Sequence, residues 1–342
     1  MEHQRSYLHD NWYAAARSTE VGASLLARKI CDENIVMYRQ SDGSVRVMAD
    51  YCPHRKLPLS RGTLVDDEIE CGYHGIRFNG EGRCVYIPAQ DNIPSNGLRA
   101  RLYPAIERYG LLHVWIGDPA KADPALVPAF PEAENPQWTG VEGYCHVAAN
   151  YLLVLDNLND LSHLAYVHKS TFGGAGLNVT PVDVTVDGSV VKTRRWLPAT
   201  AQTGFIKKAG RFKHDGPVDR DQTSDFLLPS SMIVSLGAGE IDGEVTPHHI
   251  VFNSITPETE KTTHYFWSVV RTDARDDSDV SAFFHDLTHA AFMEDKETIE
   301  IQQRAIDEDR SGTPLQAVFA DRATLGVRRV IGRELSRQLG QA

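Results

Sequence analysis

The sequence lacks any apolar run near the roughly 20 residues that a bilayer-spanning helix needs. Its first residues, MEHQRSYLHDNWYAAARSTEV, have no apolar stretch behind a basic flank. A secretory signal is therefore not expected, and the chain reads as cytoplasmic. Positive charge is also in short supply. Against 46 acidic residues stand 35 basic ones, a net charge of −11, which argues against nucleic acid as a partner. That balance suits docking of an electron donor through a basic face, although charge alone names no partner. An even set of cysteines is missing: there are five, Cys31, Cys52, Cys71, Cys84 and Cys145. A disulfide framework is not expected, and metal ligation accounts better for some of them. Internal repeats and low-complexity tracts are absent too.

What is present fills two domains. Residues from about 10 to 117 read as short strands between turns, with a hairpin signal at Asp42-Gly43. Residues 118–137 are rich in Pro, Ala and acidic residues and read as a linker or irregular crossing. Beyond them, Leu152, Leu155, Leu158, Leu161, Leu164 and Ala165 recur at helical spacing. Strand patterns occupy about 182–270, a helical pattern 278–308, and a basic amphipathic helix ends the segment 314–340. The expectation is an α+β protein. An all-β domain over 1–120 precedes an α+β domain over 121–342, whose antiparallel sheet is flanked by helices.

The most specific motif is Cys52-Pro53-His54 and, sixteen residues later, Cys71-Gly72-Tyr73-His74. Each pair sets a soft thiolate beside an imidazole. Two such pairs on neighbouring loops can hold two irons, one by sulfur and one by nitrogen, as in a Rieske [2Fe–2S] cluster. Pro53 stiffens the first loop, and Gly72 and Gly75 permit close approach of backbone N–H groups. A tetrahedral zinc site is the competing use of the same four residues, but zinc sites usually open with a C-x2–4-C pair.

A second constellation is Asp156 to His168. His163 and His168 are five apart, which on an ideal helix offsets them by about 140°. They converge only if the helix loosens or ends between them. Two imidazoles and one carboxylate make the facial triad of Fe(II) enzymes that activate dioxygen. The carboxylate must come from elsewhere, and AFMEDKETIEIQQ offers Glu294, Asp295, Glu297 and Glu300. His285 and His289, an i,i+4 pair, are a rival metal site.

CPHRKLPLSRG and ECGYHGIRF resemble the cluster motif of Rieske oxygenases, with Lys56 where Gly is common. The opening NWYAAA, and the later YGLLHVWIGDPAKADPALVP, ITPETEKTTHYFW and GVRRVIGREL, resemble the oxygenase subunits of vanillate O-demethylase and related aromatic monooxygenases. The resemblance implies Cys52, His54, Cys71 and His74 as [2Fe–2S] ligands. It implies His163, His168 and Asp295 as ligands of a mononuclear non-haem Fe(II), with Glu294 the second choice. It gives Asp160 the role of bridging an iron ligand to a cluster histidine, His74, of a neighbouring subunit, with Asn157 a polar group near the iron. Also implied are O2, a separate flavin and iron–sulfur reductase, a small aromatic substrate, homotrimers, and aromatic O-demethylation or hydroxylation. Without the iron, the chain would be only an electron carrier with a binding domain. Asn253 and His249 are candidate substrate contacts on the strands around 225–267. Arg211, Lys207 and Lys208 are nominal partners for a substrate carboxylate.

Overall fold

The computed structural model describes residues 6–92, 98–168, 171 and 180–340. The chain divides into two compact units. One is His9–Val127; the other joins the residues before His9 to Pro128–Ala342.

The first unit is built from ten short strands. They are β1 (Asn11–Arg17), β2 (Leu26–Ile30), β3 (Glu33–Arg39), β4 (Val45–Ala49), β5 (Thr63–Val65), β6 (Glu68–Glu70), β7 (Arg77–Phe78), β8 (Cys84–Tyr86), β9 (Ala105–Arg108) and β10 (Leu111–Ile116). They form three antiparallel sheets, β1-β10-β9, β2-β3-β4 and β5-β6-β7-β8. The expected hairpin at Asp42-Gly43 joins β3 to β4, with Gly43 at φ 86°. Tyr38, Met48, Leu59, Ile69 and Phe78 form a core that also takes in Cys52 and Cys71. The first part of the proline-rich stretch, 118–127, is ordered into tight turns that belong to this unit. Trp12 Nε1 donates to the Asp123 carbonyl at 2.7 Å and Trp115 Nε1 to that of Asp118 at 2.8 Å. Hence the unit closes at Val127, past the boundary that the sequence suggests at residue 120.

The second unit is a seven-stranded antiparallel sheet clad by helices. After β11 (Thr139–Val147) come α1 (Tyr151–Asn159), β12 (Asp183–Asp187), β13 (Val190–Thr200), α2 (Gly204–Lys208), β14 (Val218–Leu227), β15 (Ser231–Gly239), β16 (Thr246–Thr259) and β17 (Thr262–Arg271). The helices α3 (Ser278–Glu308) and α4 (Arg322–Gln338) follow. The strand order β11-β17-β16-β15-β14-β13-β12 is a meander to which β11 adds beside β17. Alternation along β13 buries Val191, Thr193, Arg195 and Leu197 and turns Lys192, Arg194 and Trp196 outward. Asp277 caps α3, accepting from the amides of Asp279 and Val280 at 2.9 and 3.0 Å. The buried stripe of α3 runs Val280, Phe284, Thr288, Ala291, Phe292, Asp295, Ile299. A carboxylate sits in the middle of an apolar face.

Candidate active site

In the first unit, the two Cys/His loops share one backbone geometry. The Cys52 amide donates to the Leu57 carbonyl at 2.7 Å and the Lys56 amide to that of Cys52 at 2.8 Å. In the second loop the Cys71 amide donates to Ile76 at 2.8 Å and the Gly75 amide to Cys71 at 3.0 Å. The fifth residue of each loop is left-handed: Lys56 at φ 63°, Gly75 at 66°. A Cβ on Gly72 would meet the Arg61 carbonyl oxygen at 2.6 Å, so backbone packing requires that glycine. Both cysteines are buried and free of disulfides. Burial pushes the Cys52 thiol up, and Cys71 lies close enough to bond with it. The rings of His54 and His74 are exposed and 4.7 Å apart, edge to face. Thiols inward and imidazoles outward is the donor asymmetry of a mixed-ligand cluster. The loops therefore fit the group.

In the second unit, α1 stops at Asn159, and His163 begins a separate short turn, His163–Ala165. The short turn ends at Ala165, between His163 and His168, so the offset of a continuous helix does not apply to them. Their Nε2 atoms lie 3.2 Å apart, and Oδ1 of Asp295 lies 3.5 Å from the first and 3.2 Å from the second. Among the described residues this is the one group of three or more metal-binding side chains so close together. Octahedral ligands at about 2.1 Å from a first-row metal would stand about 3 Å apart on one face. The triangle has those proportions.

The neighbours fix which atoms face inward. His163 Nδ1 bonds to the peptide carbonyl of Asp160, and His168 Nδ1 to Glu294 Oε2 at 2.9 Å. Thr171 Oγ1 donates to the same Glu294 oxygen at 2.8 Å. With both Nδ1 atoms protonated toward these acceptors, two Nε2 lone pairs and a carboxylate lone pair converge. Such an arrangement calls for a cation, so this site also fits its metal. Burial lowers the pKa of His163. Burial also works against charge on His168, but Asp295 and Glu294 together hold it above its ordinary value. Asn157 Nδ2 donates to Asp295 Oδ1 at 3.0 Å. The Asp160 carboxylate does not reach the His163 ring; it accepts from the Ser162 amide at 2.8 Å.

The triangle opens into a pocket enclosing about 950 Å³, its mouth included, lined mainly by apolar residues such as Leu158, Leu164, Phe205, Ile206, Leu236 and Phe292. His249 and Asn253 line its wall. The Asn253 amide is already engaged, taking the Tyr265 hydroxyl at 2.8 Å and donating to the Met232 carbonyl at 3.4 Å. It is a fixture of the wall. The nominal cations lie elsewhere: Arg211 pairs with Asp273 at 3.0 Å, Lys207 with Asp215 at 3.7 Å, and Lys208 lies over the Phe283 ring. His285 and His289 stack with centroids 6.0 Å apart, but His285 Nδ1 turns to Asp286 and no third ligand joins them among the described residues. Of the remaining carboxylates of α3, Glu300 accepts from the Ala148 amide and Glu297 is exposed.

One residue takes another role than the sequence suggests, and one escapes the sequence reading. Glu294 orients His168 instead of competing with Asp295. Arg220 lines the pocket. The signal for it was the period of two in β14, where Val218, Arg220, Gln222, Ser224 and Phe226 share one side of the strand.

Comparison with known proteins gives matches in both units. The Rieske [2Fe–2S] domain matches residues 11–97, and the vanillate O-demethylase oxygenase C-terminal domain matches residues 147–337. The vanillate O-demethylase oxygenase subunit of a Pseudomonas species is 37% identical over 285 residues, covering 80% of this chain and 86% of its own. The oxygenase component of dicamba O-demethylase from Stenotrophomonas maltophilia is 33% identical over 334 residues, covering 95% and 97%. A crystal structure of dicamba monooxygenase bound to 3,6-dichlorosalicylic acid matches with a TM-score of 0.92 at 31% identity, covering 97% of this chain and 98% of that one.

Proposed function

Because this chain belongs to the Rieske-type non-haem-iron oxygenases, in the family of the vanillate O-demethylase oxygenase, we propose that it removes the methyl group of an aromatic acid's methyl ether. The protein is the oxygenase component of a monooxygenase and works with a separate reductase. It uses a [2Fe–2S] cluster and a mononuclear non-haem iron. The observation that carries the reading is the ligand triangle opening onto an apolar pocket of substrate size.

Cys52, His54, Cys71 and His74 would hold the cluster, and His163, His168 and Asp295 the iron. When bound, these groups supply electron relay and dioxygen activation. The chain's own residues supply the geometry. The Asp160 carbonyl and Glu294 orient the two imidazoles, and Asn157 holds the ligand oxygen of Asp295. Leu158, Leu161 and Leu164 exclude water from the same pocket. The Asp160 carboxylate, not spent on the His163 ring, would reach His74 of a neighbouring subunit in a homotrimer.

The test is turnover of methoxybenzoates with a reductase and NAD(P)H. Formaldehyde and the phenol are expected in equal amounts, one per O2 consumed. His163→Ala should abolish turnover while leaving the visible absorption of the cluster. A hydroxylated product without formaldehyde would replace O-demethylation by ring or side-chain hydroxylation. Two irons per chain instead of three, with His163→Ala inert, would reduce the protein to an electron carrier. Full activity from a monomer would remove the cross-subunit role of Asp160.

A further inference from the structure

We propose that Arg220 receives the acidic group of the substrate, and so restricts this pocket to rings bearing an oxyanion. The inference rests on reading the pocket as the oxygenation site, and it names the residue that selects the substrate there.

Most arginines drawn into this unit have acceptors. Arg271 bonds to the carbonyls of Asp273, Ala274 and Asp277 and to Ser281 Oγ. Arg211 pairs with Asp273 and Arg328 with Asp156. Arg195 and Arg220 differ. Arg195 gives one bond, to the Leu161 carbonyl, and does not line the pocket; among the described residues Arg220, which does, has one hydrogen bond, a long one of 3.4 Å to the Ala201 carbonyl. Among the described residues no carboxylate lies within ion-pairing distance of it. Burial, helped by the charge of nearby Arg195, pushes its guanidinium down to about 10. A half-buried cation without a counter-ion is costly for a fold to keep. A bound oxyanion would supply the missing partner, with the planar donor fork that suits it.

The surroundings of Arg220 are built for an anion. A bulge in the β15–β16 pairing, between Leu236 opposite His249 and Gly237 opposite Pro247, leaves His248 as the extra residue. Two consecutive histidines thereby reach one pocket. Burial holds both rings neutral, and Arg220 adds to the effect in each. Neutral imidazoles can donate N–H groups to an oxyanion without adding charge.

Thr288, Phe292 and Asp295 of α3 line the same pocket as Arg220, and from Asp295 to Thr288 the helix rises about 10 Å. One turn further along, Phe284 packs against the His249 ring. The cation and the triangle therefore share one largely apolar pocket.

The experiment is calorimetric binding to the metal-loaded protein, using 3- and 4-methoxybenzoate, the corresponding methoxybenzyl alcohols as neutral counterparts, and 4-methoxybenzenesulfonate. The wild type should prefer the acids. Arg220→Met should weaken acid binding about 100-fold and alcohol binding less than about threefold, with Arg220→Lys between. The sulfonate arm shows whether the site takes both oxyanions. Circular dichroism and cluster absorption check folding, and Arg220→Gln replaces the Met variant if that one fails to fold. Equal loss for acid and alcohol, unchanged acid binding, or no acid preference in the wild type would overturn the proposal. Acid binding that depends on Arg220 but is followed by no formaldehyde would leave this inference standing and remove O-demethylation. Formaldehyde release with unchanged kinetics in Arg220→Met would do the reverse.

Discussion

Lys56 is the one departure from the cluster motif, and its backbone is left-handed like that of Gly75, its counterpart in the second loop. For a residue with a Cβ that conformation costs about 1–2 kcal/mol. Part of the cost is offset by the Lys56 ammonium, 4.1 Å above the Tyr51 ring, a contact that contributes about 0.5–1 kcal/mol. Lys56→Gly relieves the backbone, loses the ring contact and loosens the unfolded chain by about 0.5–1 kcal/mol. Its net effect should stay within about 1 kcal/mol of zero. Gly75→Ala has no such compensation, and its new Cβ would press on Pro88 at 3.2 Å. It should cost about 1–2 kcal/mol. Denaturant unfolding followed by cluster absorbance measures both; a Lys56→Gly gain above about 1 kcal/mol would show that Tyr51 contributes little. The paired Cys52/His54 and Cys71/His74 loops were legible because their spacing is local. Pairing His168 with Glu294 was not, since 126 residues separate them. Arg220 was overlooked because a charge on the inner side of a strand is readable only from the strand's parity.

At the scale of elements, α1 delivers Asn157 to the Asp295 carboxylate and then ends, and α4 holds it in place. Arg328 of α4 grips Asp156 of α1, its Nε 3.0 Å from each carboxylate oxygen. Burial raises the pKa of Asp156, against the opposing pull of Arg328. Removing the arginine leaves a largely buried carboxylate unpartnered. Because both groups keep some exposure, the expected cost of Arg328→Met is about 1–2 kcal/mol, less than for a fully buried pair. Adding Asp156→Asn should recover most of that loss, and a double-mutant cycle on thermal unfolding checks it. Additive losses would mean that Arg328 acts by packing alone. The helix α3 and the run of strands between 182 and 270 were legible from periodicity. The early end of α1 was not, because Leu161 and Leu164 continue the helical spacing past it. They are buried with Leu197 in a separate apolar cluster beyond the break.

Over the whole molecule, buried histidines tie stability to pH. Burial holds His248 down to about 2, His249 to about 3 and, in the first unit, His113 to about 4. Their ordinary value, near 6.5, applies once the chain unfolds. Below pH 6.5 the unfolded state binds protons that the folded state refuses, so stability is full above that pH and falls as the solution is acidified. By pH 5.5 each such histidine should cost about 1.4 kcal/mol, or about 3 kcal/mol for the pair in the second unit. Other groups of the chain contribute to the raw curve. A comparison of wild type with His249→Gln cancels their contribution, because both proteins keep them. Between pH 7.5 and 5.5 the variant should lose about 1.4 kcal/mol less than the wild type in denaturant unfolding followed by tryptophan fluorescence. Parallel losses would mean that His249 takes up its proton in the folded state. The pocket would then offer two positive charges to an entering anion where the present geometry offers one.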